Sequence, residues 1–304
     1  MNTIAEIRTK VTQDKLRTIA IAGVTYEELS IVSQVIKENL AKFILVGDQA
    51  EIKRFIESDF PDLSNIPVYH ADSAGQAPQL VMDLIREQAA EIPMKGQVHT
   101  GTFVKAILKP ENGFFDHGRL SQITMFDGYN DDLQFLTDCA VNIELTLEVK
   151  LDLIKNAVRS AQLFGKREPK VALLGAVEIV NPKMQDTMDS AILTQMNRRG
   201  QIGGCVVDGP LSLDNAISQL FAAIKDIDSP VAGKADILVA SSLNEANTLS
   251  KSIIHYAKKD ACSIIAGTKR PVIMTSRTDT QQNKINTIAT ACYMLEQQSK
   301  KGTL

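Results

Sequence analysis

Short apolar runs that end at a glycine alternate along this chain with longer segments of helical periodicity. Residues 18–23 and 42–47 are two such runs. Between them, residues 26–40 carry apolar side chains three and four positions apart, the period of a helix that packs by one face. A short, continuously apolar run is typical of a strand buried on both faces, and a strand–helix–strand order indicates parallel pairing. The pattern therefore predicts an α/β fold.

The same alternation continues to the C-terminus. Further strands are predicted at 67–70, 119–126, 135–141, 170–175, 205–209, 235–240, 263–266 and 271–274. Helices are predicted at 26–40, 51–58, 78–90, 102–108, 147–164, 189–199, 213–224, 245–258 and 283–296. A chain of 304 residues is long for one hydrophobic core, which favours two domains.

Composition excludes several classes of protein. The formal net charge of −3 gives no positive field for nucleic acid. No apolar run approaches the roughly 20 residues that span a bilayer, and the polar start of the chain lacks a signal-peptide pattern. The four cysteines and four histidines have no metal-ligand spacing, so no metal site is expected. We expect a reduced, cytoplasmic setting.

A hydroxyl, a guanidinium and a carboxylate stand close together after the apolar run 271–274. They belong to Ser276, Arg277 and Asp279. In open α/β sheets, ligands bind beyond the carboxyl ends of the strands. Arginine supplies bidentate donors and serine a neutral donor, while a carboxylate this close is costly unless it manages a proton. The loop is either a candidate site for an oxyanion such as phosphate or ordinary surface.

A second polar segment follows the apolar residues 205–207. Gly209 and Pro210 after Asp208 predict a turn at a strand end. Asp208 is then either a turn or helix-cap acceptor or a ligand for a substrate hydroxyl or amide. In the second interpretation, the side chain of Asn215 on the next predicted helix points into the ligand-binding crevice beyond the ends of the strands. Lys234, just before a predicted strand, is either a surface lysine or a ligand contact.

Several familiar site motifs are missing from the sequence. The glycines form neither the Gly-x-Gly-x-x-Gly nor the Walker pattern, so dinucleotide and P-loop binding are not supported. Ser276 lacks the Gly-x-Ser-x-Gly elbow of hydrolases. Cys139 lies in an apolar run, where a buried, inert thiol is expected more often than a reactive one.

Several runs taken together resemble the phosphate butyryltransferase branch of the phosphate acyltransferases, over almost the whole chain. The most specific are Val-Glu-Ile-Val-Asn-Pro-Lys-Met at 177–184 and Asp-Gly-Pro-Leu-Ser-Leu-Asp-Asn at 208–215. The others are Phe-Ile-Leu-Val-Gly-Asp at 43–48, Met-Lys-Gly at 94–96, Thr-Asp-Cys-Ala-Val-Asn at 137–142, Arg-Gly-Gln-Ile at 199–202, Val-Ala-Gly-Lys-Ala-Asp at 231–236 and Thr-Ser-Arg at 275–277.

The resemblance implies a reversible reaction in which acyl-CoA and orthophosphate give acyl phosphate and CoA, with direct thiol attack in a ternary complex. Coenzyme A is then a co-substrate, and no tightly bound cofactor is expected. The implied fold is two α/β/α domains with mostly parallel sheets and an active-site cleft between them. The first domain would combine 1–125 with 266–304, and the second would be 126–265. A homodimer that takes only small-molecule substrates is implied.

The resemblance also carries roles to individual residues. Ser276 and Arg277 match the family's Ser-Arg pair beside the reacting phosphate. Asp279 is the nearest matching carboxylate for the general base, although related acetyltransferases place theirs further along, where this chain has Asn283 and Lys284. Lys95 and Thr100 match the family's glycine-turn region that faces the same cleft. The further candidate contacts to substrate or CoA are Asp208, Asn215, Lys234, Asn247 and Lys251.

Three departures from the family pattern leave alternatives open. Phe114 and Phe115 stand where the family usually has Leu-Arg, Ala246 replaces a glycine, and Ser250 replaces a tyrosine. A non-catalytic paralogue that binds CoA or phosphate is one alternative. Another is a metal-dependent decarboxylating dehydrogenase, for which the aspartates of this chain are poorly spaced.

Overall fold

A computed structural model describes residues 3–11, 15–116 and 118–302 of the chain. The chain forms two compact units. The central unit combines Gly118–Cys262 with Met1–Glu6, and the terminal unit combines Ile7–His117 with Ser263–Leu304. The terminal unit is therefore built from both arms of the chain. The predicted domain boundaries, after 125 and after 265, remain a prediction.

The sheet of the terminal unit consists of β1 Thr18–Ala22, β2 Lys42–Gly47, β3 Val68–His70, β4 Ile92–Lys95 and β11 Ile273–Met274. These strands pair in parallel in the order β11-β4-β1-β2-β3. Ile19, Ala20 and Ile21 of β1 are fully buried. Because successive side chains point to opposite faces of a sheet, both faces of this strand are shielded from solvent. This double-sided burial is the reason that parallel strands are continuously apolar.

The helices of this unit begin close behind its strands. They are α2 Tyr26–Lys37, α3 Gln49–Asp59, α4 Ala77–Arg86, α5 Thr100–Leu108 and α11 Gln281–Lys301, while α1 Ile4–Lys10 crosses from the central unit. Asp48, directly after β2, caps α3 by accepting the backbone N–H groups of Ala50 and Glu51. Such caps satisfy helix donors that have no partner within the helix. The carboxyl ends of the strands and the helix N-termini therefore share one edge, which we call the carboxyl edge.

Two glycines let the loops after β1 and β4 touch. The backbone N–H of Gly96 donates to the carbonyl of Ala22 at 2.9 Å, and that of Gln97 donates to the carbonyl of Gly23 at 2.7 Å. A Cβ atom on Gly96 would lie 2.3 Å from the carbonyl oxygen of Gly23, which itself has a φ of +79°. Only glycine meets both demands without strain.

The sheet of the central unit consists of β5 Ser121–Asp127, β6 Leu133–Thr137, β7 Lys170–Leu174, β8 Val206–Leu211, β9 Ile237–Val239 and β10 Ala261–Ala266, through which the chain passes into the terminal unit. The strand order is β10-β5-β6-β9-β7-β8. β5 runs antiparallel to β6, and the strands from β6 to β8 are parallel.

The helices of the central unit are α6 Leu147–Leu163, α7 Gln185–Arg198, α8 Leu213–Ile217, α9 Gln219–Ile224 and α10 Leu243–Lys251, followed by a π-helical turn at Ser252–Tyr256. Leu136, Ala172 and Leu238, from three adjacent strands, belong to one buried apolar cluster. Two mostly parallel sheets with helices confirm the predicted α/β class.

Three local expectations were wrong. First, neither α1 nor β4 was expected. A proline within a run argues against a central strand, yet Pro93 lies within β4, which pairs with β1 and β11. The helix predicted at 213–224 is divided at Ser218, whose hydroxyl caps α9. Asp208 does not precede a turn, because β8 continues through Gly209 and a cis Gly209–Pro210 peptide. A bulge against β7 accommodates the extra residue, so the loop opens only after β8 ends.

Candidate functional site

The predicted anion-binding residues lie in residues 275–280, between β11 and α11, which we call the Ser-Arg loop. The carboxylate of Asp279 accepts the backbone N–H of Ser276 at 2.8 Å, and the backbone N–H of Asp279 donates to the carbonyl of Ser276 at 3.2 Å. The hydroxyls of Ser276 and Thr278 lie 3.1 Å apart. The loop is thereby closed on itself, with Ser276 and Arg277 exposed to solvent.

Lys95 lies at the same edge, at the end of the neighbouring strand. β4 and β11 pair so that Lys95 stands opposite Met274, the last residue of β11. The half-buried ammonium of Lys95 donates to the carbonyls of Gly96 at 3.0 Å and Val98 at 3.3 Å. The pairing of two strands therefore brings Lys95 beside the start of the Ser-Arg loop, from a position far away in sequence.

Lys95 and Arg277 form a like-charged pair. Burial lowers the pKa of Lys95 below its usual value, the positive charge of Arg277 lowers it further, and the negative charge of Glu28 acts in the opposite direction. Within the part of the chain that the structure describes, neither Lys95 nor Arg277 makes a salt bridge. Two cations that repel each other and lack carboxylate partners favour the binding of an anion.

Thr100 belongs to the same connection as Lys95. It is the first residue of α5 and is exposed. The preceding residue, His99, has extended backbone angles but makes no side-chain cap to the helix. The first turn of α5 therefore keeps donors that its own N-cap side chain does not satisfy.

Two carboxylates in the first turn of α2 border this edge, and neither was singled out from the sequence. Glu28 accepts the backbone N–H of Thr25 at 2.9 Å, its hydroxyl at 2.6 Å and the side-chain amide of Gln97 at 3.3 Å. Glu27 forms an ion pair with Lys284. The Thr-x-x-Glu spacing is the signature of a capping box and was available as a signal for Glu28. Nothing local signals the pairing with Lys284.

In the central unit, Asp208 lies within β8, and its interpretation as a turn acceptor is wrong. Its side chain is 15% exposed, and the guanidinium of Arg198 lies 3.9 Å from its carboxylate. The strand holds Asp208 opposite Ala172 of β7. A ligand contact at Asp208 remains a prediction.

Asn215 is fully buried in α8. Its side-chain amide donates to the carboxylate of Glu178 at 2.6 Å and to the hydroxyl of Ser212 at 2.9 Å. Among the described residues its Oδ1 has no hydrogen-bond partner. Leaving such an acceptor unsatisfied is unfavourable. The donors on its amide nevertheless fix the orientation of this side chain.

Asn215 is part of a compact charged group that we call the Glu178 cluster, formed by Glu178, Ser212, Asp214, Asn215 and Lys225. The ammonium of Lys225 lies 2.8 Å from the carboxylate of Glu178 and 3.0 Å from that of Asp214. Hydrogen bonds from Lys225 and then Ser212 lower the pKa of Glu178, and hydrogen bonds to both carboxylates raise the pKa of Lys225. Glu178 and Lys225 were missed as polar residues of interest, although Glu178 lies in a run that carries the family resemblance.

The two predicted residues on α10 differ in their surroundings. Asn247 donates to the backbone carbonyl of Cys139 at 3.0 Å, which places it near the carboxyl end of β6. Lys251, at the end of α10, is exposed. The thiol of Cys139 is buried, and this burial raises its pKa to about 12. The prediction of a buried thiol is therefore confirmed.

Lys234 lies at the opposite edge of the central sheet, where the parallel strands begin. It lines a cavity of about 380 Å³ together with Lys170, the first residue of β7, and Asp236, which precedes β9. The structure thus brings Lys95, Ser276, Arg277 and Asp279 together in the terminal unit. The predicted residues of the central unit are distributed over both edges of its sheet.

A hydroxyl-bearing, cationic loop at the carboxyl edge of a parallel sheet defines an α/β protein with a candidate site for an oxyanion. The family model described as "Phosphate acetyl/butaryl transferase" matches residues 74–292. The chain belongs to this family of phosphate acetyl and butyryl transferases.

Individual relatives agree with this assignment. A probable phosphate butyryltransferase of Bacillus subtilis is 39% identical over 290 residues, which is 95% of this chain and 96% of the relative. The phosphate butyryltransferase of Clostridium acetobutylicum is 37% identical over 95% of this chain and 97% of its own. A branched-chain phosphotransacylase from Enterococcus faecalis superposes with a TM-score of 0.83 at 31% identity, covering 92% of this chain and 99% of the solved one. These relatives are named as enzymes, which favours catalysis over the binding-only and dehydrogenase alternatives.

Two departures from the family pattern are packing positions. Phe114 is 4% exposed, and Phe115 forms an isolated bridge with Thr268 of the same unit. Ala246 is fully buried in α10. All of these residues lie outside the Ser-Arg loop and β4, so they do not replace Lys95 or Arg277 at the carboxyl edge.

Proposed function

We propose that this protein transfers a short-chain, butyryl-like acyl group reversibly between coenzyme A and orthophosphate. The observation that carries the proposal is the meeting of Lys95, Arg277 and Ser276 at one edge, where both cations lack a salt-bridge partner among the described residues. Membership of a family of phosphate acetyl and butyryl transferases supports the reaction type. The names of the butyryltransferase relatives support the short acyl chain.

Each residue of the Ser-Arg loop has a chemical role in this proposal. Arg277 binds two phosphate oxygens through its planar fork, and Lys95 adds a second positive charge. The hydroxyl of Ser276 donates to the oxygen that becomes negative in the tetrahedral intermediate. Asp279 accepts the proton of the CoA thiol, because an ordinary thiol, with a pKa of about 8.5 in cysteine, is mostly protonated at neutral pH.

In the direction of acyl-CoA formation, the thiol sulfur attacks the carbonyl carbon of the acyl phosphate. A C–S bond forms as the proton passes to the carboxylate, and collapse of the intermediate breaks the bond between the carbonyl carbon and the phosphate oxygen. The protonated carboxylate returns its proton to the departing phosphate oxygen, so phosphate leaves as the dianion HPO4(2−), which the two cations stabilise. No covalent acyl-enzyme forms in this scheme, because the thiol sulfur attacks the carbonyl carbon of the acyl phosphate directly.

The remaining predicted residues are proposed contacts for CoA or the acyl chain, and they are Thr100, Asp208, Asn215, Lys234, Asn247 and Lys251. Coenzyme A serves as a co-substrate, and we propose that no cofactor is tightly bound. Among the residues placed in the structure, no three His, Cys, Asp or Glu side chains gather as metal ligands, and no helix has the length and hydropathy to cross a bilayer. We further propose a cytoplasmic homodimer.

Thiol release tests the proposed reaction. Butyryl-CoA and phosphate are incubated with the protein, and free CoA is followed with a thiol reagent, with acetyl-CoA as the comparison. We expect phosphate-dependent release that is faster with butyryl-CoA. Absence of phosphate-dependent release with both substrates would contradict the proposed function, whereas equal rates would contradict only the acyl preference.

Initial rates test the ternary complex. When acyl-CoA and phosphate are varied together, double-reciprocal plots should intersect, because neither product leaves before both substrates are bound. Parallel lines would instead indicate an acyl-enzyme, and the direct attack of the thiol would then be wrong.

A further inference from the structure

One buried cation next to the Ser-Arg loop has no role in the chemistry described so far. Lys284 lies at the start of α11, and only 7% of its side chain is exposed. Its ammonium forms an ion pair with the carboxylate of Glu27, whose side chain is half-exposed. Removing an ammonium from water is unfavourable even when it is paired, and a cation near a helix N-terminus also opposes the helix dipole. Stability alone therefore does not account for a lysine at this position.

The ion pair continues into the loops that follow two other strands. The second carboxylate oxygen of Glu27 accepts the side-chain amide of Gln97 at 3.5 Å, and the same amide donates to Glu28 at 3.3 Å. The backbone N–H of Gln97 donates to the carbonyl of Gly23 at 2.7 Å. The segments after β1, β4 and β11 thus form one network, and Lys284 is its connection to the helix that follows the Ser-Arg loop.

We propose that Lys284 and Glu27 are positioning residues for phosphate transfer, an inference that rests on the proposed function. Their ion pair holds the start of α11 against α2 and thereby sets the distance of Ser276 and Arg277 from Lys95. The hydrogen bonds within the Ser-Arg loop close it on itself, so a shift of α11 moves the loop as a unit. A displacement of about 1 Å at a reacting group lowers rates by as much as 10²-fold.

The first test is Lys284→Met, which keeps the length and apolar stem of the side chain and removes the charge. We expect kcat to fall about tenfold or more. The KM for phosphate should rise, because its two cationic contacts are misaligned. The KM for acyl-CoA should stay within about twofold of the wild-type value, since five of the six proposed contacts for CoA or the acyl chain lie in the central unit, which the variant leaves unchanged. Steady-state kinetics in the thiol-release assay measures all three.

A double-mutant cycle tests whether Lys284 and Glu27 affect kcat/KM for phosphate through their ion pair or independently of each other. Glu27→Gln should reduce kcat/KM for phosphate to a similar degree as Lys284→Met. The double variant should be no worse than the more impaired single variant, because both substitutions break the same interaction. Losses that multiply in the double variant would contradict a shared positioning role.

The matched control is Arg17→Met, which breaks the Arg17–Glu91 ion pair at the opposite edge of the same sheet. The two atoms of that pair are 2.8 Å apart, and the Arg17 side chain is 11% exposed, so its burial is comparable. Arg17→Met should lower the unfolding temperature without changing kcat. If the wild type turns over and Lys284→Met shows the kinetics of Arg17→Met, the inference is wrong and the proposed function stands. An inactive wild type would overturn the proposed function itself.

A conservative variant keeps the test decisive if Lys284→Met does not fold. Lys284→Arg keeps the positive charge and its partner, and should retain most of the wild-type kcat. Glu27→Gln leaves a half-exposed neutral side chain, and circular dichroism verifies its fold before the assay. A folded Glu27→Gln with wild-type KM and kcat would overturn the positioning role.

Discussion

The two units of the protein use their charged side chains differently. In the terminal unit, Lys95 and Arg277 repel each other at the carboxyl edge, and the structure describes no salt bridge for either. In the central unit, the ammonium of Lys150 lies 2.8 Å from the carboxylate of Asp189, with both side chains 7% exposed. In the proposed function the first pair offers its positive charge to phosphate, whereas the charges of the second pair neutralise each other.

The Glu178 cluster extends this contrast to the ends of the central strands. Lys225 lies between Glu178 and Asp214, and both carboxylates have a lowered pKa because of it. A cation held by two carboxylates has little attraction left for an anion. The difference teaches that neither the fold nor the number of charges distinguishes these groups; whether a cation has an internal carboxylate partner does.

The largest expected effect is that of Arg277→Ala. Turnover should fall by about 10³-fold or more, because the leaving phosphate loses its bidentate donor. Arg277→Lys should recover little, since an ammonium lacks the planar fork. Arg54→Ala is the control; the Arg54 side chain is 71% exposed on α3, and this variant should keep wild-type turnover. Near-normal turnover of Arg277→Ala in the thiol-release assay would remove the basis of the comparison.

Lys150→Met should affect stability and not chemistry. Removing one partner of a buried ion pair leaves the other charge buried, which lowers the free energy of unfolding by about 3–5 kcal/mol. Urea denaturation measures this change. Lys155→Met on the same helix, where the side chain is 46% exposed, should change it by less than about 0.5 kcal/mol. Equal losses in the two variants would show that the Lys150–Asp189 pair is not the determinant.

The pH dependence of phosphate binding should report Lys95. Because burial and Arg277 lower the pKa of Lys95 below the ordinary value of 10.5, its positive charge is lost at a lower pH than that of a surface lysine. Phosphate binding should therefore weaken as the pH rises through this lowered pKa. In Lys95→Arg the alkaline limb of kcat/KM for phosphate should move to higher pH, because a guanidinium does not titrate there. An unmoved limb would assign it to another group.

The smallest effect is expected for Lys225→Met. Turnover should stay within about twofold of the wild type, because exposed ion pairs contribute little. In the wild type, the pKa of Glu178 is lowered below its ordinary value of 4.5. The ionised carboxylate therefore stabilises the fold fully at a pH above 4.5, and this stabilisation is lost as the pH falls through the lowered pKa. The difference in unfolding temperature between the variant and the wild type should therefore shrink on acidification. A large loss of turnover would show that Lys225 itself acts in the reaction.

Most of the fold was predictable because its signals are local. The run that became β1 and the periodic segment that became α2 identify themselves through side-chain spacing alone. β4 escaped because Pro93 is a poor strand residue, and its burial between two strands outweighed that preference. The continuation of β8 through Pro210 depended on a bulge against its neighbour, which no property of the residues 208–211 specifies.

By itself, the sequence determined the α/β class, the family resemblance and the Ser-Arg pair, since each depends on residues close together in the chain. Tertiary structure alone decided that Lys95 stands beside Arg277, that Lys234 lies at the far edge of its sheet, and that Lys284 is paired with Glu27. The physical reason is that strand order and helix packing bring distant residues into contact, and charge acts through space. A local pattern states which groups a segment carries, whereas their partners, burial and pKa depend on the completed fold.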